Sequence, residues 1–157
     1  MWEALQHTEW ATTIGESREL YGLFAVVHYS AVFCCVGTIV LLDLRILGLA
    51  ARNHALSSLA QQLRPVTWVA FGCAVVSGFL LFAPKAGSYV EVTPFHVKML
   101  AIVLAVIPAL VVEWRVPKWD LARAMPMTAT LLALMSIVLW LGAVLAAVEI
   151  LTLTGLG

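Results

Sequence analysis

The sequence predicts an all-α integral-membrane four-helix up-down bundle with a short N-terminal interfacial helix, a single transmembrane domain over residues 1–157. Three observations predict it. The chain is 62% hydrophobic and only 11% charged, with mean hydropathy +0.99, where a soluble domain is about 45–50% apolar and about 25% charged. Four apolar stretches lack Asp, Glu, Lys and Arg over most of the length that crosses a bilayer, about 20 helical residues. The connectors between them are short, which favours antiparallel neighbours.

The elements follow in order. Residues 2–19 place Trp2, Leu5 and Trp10 among polar positions, the pattern of a short helix lying at headgroup depth. Gly15 is expected to break it, and Ser17 to cap the next helix. The opening MWEALQHTEW has no basic n-region and no small-residue cleavage site, so the first apolar segment is expected to stay in the membrane.

That segment, 20–42, carries no charged residue and one imidazole, His28. It closes at Asp43 and Arg45, expected at the hydrated membrane face. The stretch 50–63 reads as a continued or surface-lying helix. The second span, 65–84, starts with Pro65 in its first turn, a favoured position. The third span, 93–113, has an uncharged core only from Met99, so Lys98 must snorkel outward. Pro108 falls in its interior, where it removes a helix hydrogen bond and favours a kink. The fourth span, 124–151, follows a connector anchored by Trp114 and Trp119.

Arg45, Arg52 and Arg64 lie in the first connector region and Arg115, Lys118 and Arg123 in the third, most of the nine basic residues. The positive-inside rule then makes both regions cytoplasmic and places both termini on the outer side of the membrane. Net charge is zero and the basic residues form no run, which excludes an electrostatic case for nucleic acid. Cys34, Cys35 and Cys73 all fall in apolar segments, where thiols serve as small packing residues.

Of the four histidines, His7 and His54 lie in polar segments and are read as solvated. His28 and His96 fall within spans, where an ionisable group is costly and marks a site by default. At about 1.5 Å per residue they stand roughly 23 and 26 Å from Asp43 and Glu113, the inner ends of their helices. Spans one and three run the same way and are diagonal in a square bundle. If both rings point inward they face each other, the arrangement of two axial imidazoles on a haem b iron. Phe24, Ala25, Ala31, Val32 and Cys35 share the His28 stripe, and Met99, Leu100 and Val103 the His96 stripe. Ser77 and Gly78 on the second span and Gly142, Ala143, Ala146 and Ala147 on the fourth are small enough to approach a flat ligand. Propionates would meet Lys98, Arg18 or Lys85; Lys98 stands about 200° around the helix from His96 and is not an axial ligand.

Other readings stand beside this one. A histidine hydrogen-bonded between helices explains either ring alone. Copper is the alternative cofactor, through His28, His96, Met99 and Cys35, since soft sulfur favours Cu(I). Met125 and Met127 are read as packing, and Glu149 as pairing with Lys98 or facing headgroups. No internal repeat supports a transporter.

The run His28, Gly37, Asp43-Leu44-Arg45-Ile46-Leu47-Gly48, then Ser77-Gly78 with Leu80-Leu81-Phe82, then Phe95 and Lys98, resembles an uncharacterised family of small four-helix bacterial inner-membrane proteins with a DLRxLG motif. The resemblance covers spans one to three and implies fold and location. That family often has a Glu three residues before the first-span His; here the position is Ala25, so no role of that Glu carries over. The paired histidines are similar, more loosely, to four-helix b-type cytochromes and to copper-resistance membrane domains.

The expected function is electron transfer through one bis-histidine haem near the periplasmic face, as a membrane cytochrome subunit rather than a stand-alone enzyme. A quinone, or a membrane or periplasmic redox partner, would complete the relay. The alternative is a cofactor-free anchor or packing subunit of a larger complex. The lipid bilayer is the surroundings in every case.

Overall fold

The computed structural model describes residues 2–122 and 124–153, the side chains of 150–153 excepted. Two short helices, α1 (Trp2–Gln6) and α2 (Glu9–Glu16), precede four long ones: α3 (Arg18–Ile46), α4 (Leu56–Phe82), α6 (Thr93–Asp120) and α7 (Met127–Leu153). A 3₁₀ turn (Ala83–Lys85) and the short α5 (Ala86–Glu91) join α4 to α6. The four long helices are long and apolar enough to cross a membrane. α3 packs along α4 and α6 along α7, with lesser contact between α3 and α7 and between α4 and α6. α3 and α6 are therefore diagonal, as the up-down order requires.

Large apolar side chains such as Val26, Phe33, Val69, Val103, Val138 and Leu145 point outward. In water that surface would be costly; against acyl chains it is not. The inward faces carry smaller groups. Cys35, Ile39, Ala70, Ala105 and Trp140 form one buried cluster at mid-height. Ile46, Leu56, Val112, Val116, Trp119, Ala129 and Ala133 form another toward the end that carries the two connectors, 47–55 and 121–126.

The helices run further than the charge-free stretches suggest. α4 starts at Leu56, so Pro65 lies well inside it rather than in its first turn. α6 continues past Glu113 through Pro117 to Asp120. The reason is at the helix ends. Ala55 has no capping side chain, but Asp120 reaches across from the end of α6. Its two carboxylate oxygens accept from the Leu56 and Ser57 amides at 3.1 and 2.9 Å. A carboxylate on a helix N-terminus stabilises both the free N–H groups and the dipole.

The DLRxLG segment is a helix stop. Gly48 has φ +71°, the left-handed conformation glycine adopts without a Cβ penalty, and the Leu49 amide returns to the Leu44 carbonyl at 2.9 Å. Arg45 Nε then donates to the His54 carbonyl at 2.9 Å, pinning the connector.

The N-terminal helices are docked onto the bundle end. Trp2 packs edge-on to Phe82, Trp10 against Phe79, and Gln6 accepts from the Gly87 amide at 3.2 Å. An additional break falls at His7 and Thr8, and α2 then ends at Glu16, one residue past Gly15. A β-carbon on Gly15 would stand 2.9 Å from Pro84 Cβ, so glycine is there for contact. Ser17 caps α3 as expected, accepting from the Leu20 amide at 3.2 Å. Arg123, counted among the basic residues of the last connector, and residues 154–157 lie outside the described residues.

Candidate functional site

His28 sits on α3 and is half-buried against α4. Its Nδ1 lies 3.0 Å from the Ala74 carbonyl and 3.2 Å from Ser77 Oγ. The carbonyl can only accept, and the Ser77 hydroxyl spends its hydrogen on the Cys73 carbonyl at 2.6 Å. Nδ1 therefore carries the ring proton and Nε2 the lone pair. The ring is pressed onto the α4 backbone: a β-carbon on Gly78 would stand 2.9 Å from His28 Cε1. The structure thus brings His28 and Gly78 together, with glycine making room for the imidazole.

His96 is placed differently. It is exposed on α6, with Met99, Leu100 and Val103 exposed along the same stripe, and its ring contact is with the adjacent Phe95. The face that α6 turns inward is the opposite one, carrying Lys98, Ala105, Pro108 and Val112. Lys98 is half-buried and snorkels along Phe95, with Nζ 5.4 Å from its ring centre.

The expectation that both histidines point inward is corrected. The physical reason is side-chain size. Ala101, Ala105 and Ala109 recur every four residues and let α6 approach its neighbours, the packing habit of small residues in membranes. Val97, Leu100, Val103 and Ile107 are left to face lipid. His28 and His96 are therefore not brought face to face across the bundle in this structure. The copper set divides likewise, since Cys35 is buried while His96 and Met99 are exposed. Among the described residues, no three of His, Cys, Asp and Glu are grouped to hold a metal ion.

A second polar region lies toward the connector end, and sequence reasoning missed it. Asp43, expected at the hydrated face, is only 2% exposed. It faces Ser136 of α7, whose hydroxyl is near enough to act on the carboxyl, and among the described residues neither its Oδ2, Ser136 Oγ nor Trp140 Nε1 has a partner at full hydrogen-bond distance and angle. These buried groups stand beside a cavity of about 30 Å³ lined by Asp43, Thr38, Thr67, Trp68, Trp140 and Glu113, among others. Glu113 Oε1 accepts from Trp68 Nε1 at 2.7 Å, and its Oε2 lies 3.3 Å from Arg64 Nε. The Thr67 and Thr38 hydroxyls meet at 2.8 Å.

The spacing of Ser136 and Trp140, one helical turn apart within an apolar run, was the available signal. No family model, curated protein or solved structure matches the chain.

Proposed function

We propose that the chain is a cofactor-free accessory subunit of a larger assembly in a bacterial inner membrane, with both termini periplasmic. The observation that carries this reading is the divided histidine pair. His28 is a clamp between α3 and α4, while His96 faces away from the bundle. The basic residues of the connector end support the orientation. His96 and its stripe give α6 an outward face on which an imidazole can meet a neighbouring subunit.

One observation favours the haem b reading instead. The Nδ1 bond to Ala74 leaves Nε2 with its lone pair, as in histidines that ligate metals. In that reading His28 and His96 would hold the iron, Gly78 and Lys98 would lie beside the macrocycle, and the haem would supply one-electron chemistry.

Purification in mild detergent from haem-replete cells, with a photo-crosslinker at position 96, separates the two. The accessory reading predicts a colourless protein and one discrete crosslinked membrane partner. A Soret band that disappears in both His28→Ala and His96→Ala would overturn it in favour of the cytochrome.

A further inference from the structure

We propose that Asp43 is a proton-exchanging carboxyl inside the membrane, served by water in the cavity beside it and reached from the connector end past the Arg64–Glu113 ion pair. This does not rest on the accessory-subunit reading.

Among the described residues, Asp43 Oδ2, Ser136 Oγ and Trp140 Nε1 have no partner at full hydrogen-bond distance and angle, on residues 2%, 0% and 5% exposed, with Ser136 next to Asp43. Buried polar groups nearly always have partners, and exceptions point to a missing water, ion or function. Asp43 and Trp140 both line the 30 Å³ cavity. A water needs about 10–15 Å³ on that measure and two to four polar partners. The cavity has room for one or two.

The donor set selects the ligand. An indole N–H only donates, so Trp140 repels a metal cation but suits a water oxygen. Arg64 and Glu113, on the same lining, pair with each other and leave no net charge there. A water that accepts from Trp140 Nε1 can donate to Asp43 Oδ2, satisfying both. We therefore assign water, and not sodium, to this cavity.

The route is visible on the other side of the ion pair. A second hollow of about 100 Å³ lies between α4 and α6, lined by Ser57, Gln61, Val116 and Pro117. It shares Ala60, Arg64 and Glu113 with the first. Ser57 and Gln61 belong to the first two turns of α4, at the connector end. Arg64 is 56% exposed and Glu113 20%, so the pair stands between wet and dry. A proton arriving from solution passes to a cavity water, which hands one of its own to the Asp43 carboxylate. Release reverses the steps, and the water is regenerated each time.

The charged groups around Asp43 are few. α4 contributes Arg64 and α6 contributes Glu113. Among the described residues, α7 contributes no charged group to the cavity, only the Trp140 indole, with Ser136 beside Asp43. Arg45 on α3 is turned to the His54 carbonyl, and His54 itself is exposed.

Infrared difference spectroscopy on the full chain in lipid nanodiscs, titrated with pH in H₂O and D₂O, tests this. The expected result is a protonated-carboxyl carbonyl band that appears and disappears with pH and shifts in D₂O. It should vanish in Asp43→Asn, persist in Glu113→Gln, and move in frequency and midpoint in Trp140→Phe. Carbon-13 aspartate labelling of the wild type reads the same band without any variant, since Asp43 and Asp120 are the only aspartates and Asp120 is exposed. A band that survives Asp43→Asn, ignores the aspartate label, or is unmoved by Trp140→Phe overturns the proposal. So does its absence at every pH.

Discussion

His28 and Asp43 lie on the same helix, some four turns apart, and are treated in opposite ways. The imidazole is half-buried, bonded to a carbonyl and a hydroxyl of α4, and seated on a glycine cut to its shape. The carboxyl is almost wholly buried, has an oxygen without a partner at full hydrogen-bond geometry among the described residues, and borders a cavity. A satisfied polar group between spanning helices acts as packing. An unsatisfied one costs free energy and is retained for some other reason. The difference teaches that depth in the membrane does not by itself identify a working residue; its hydrogen-bond state does.

Thermal unfolding in detergent sharpens that contrast. Gly78→Val should give the largest loss, about 2 kcal/mol, because the new side chain displaces the His28 ring. Asp120→Ala should cost about 1 kcal/mol by uncapping α4, an effect confined to the connector end in amide exchange. His28→Leu should lose somewhat less, roughly 0.6 kcal/mol, the average worth of an interhelical hydrogen bond in a bilayer. Arg64→Ala should fall below about 0.5 kcal/mol and shrink further in salt, since its partner pair is half open to solvent. Asp43→Leu should cost nothing or raise the midpoint, because an apolar group replaces an unpaired polar one. A large loss in Asp43→Leu, or none in Gly78→Val, would break the comparison.

The four spans and their diagonal order were legible because uncharged length and short connectors report directly on the bilayer. The helix extensions were not. A cap for α4 supplied by Asp120, sixty-odd residues downstream, is invisible to local rules. The inward face of α6 was legible but was read from the wrong cue. The alanines at 101, 105 and 109 mark the contact face, whereas the rare and chemically suggestive His96 drew the prediction to the opposite one. Lys98, about 200° away, then follows the alanines inward. Asp43 was placed at the surface because charges end spans. Its burial depends on α3 running on to Ile46 and on Ser136 and Trp140 from α7 closing over it, which only the packed bundle specifies.

A high-resolution experimental density map of the purified protein in lipid tests the central contrast most directly. The account predicts an ordered water between Asp43 Oδ2 and Trp140 Nε1, the His28 ring closed on Gly78, and His96 pointing away from the bundle. A dry cavity beside Asp43, or flat macrocycle density joining His28 to an inward-turned His96, would contradict it.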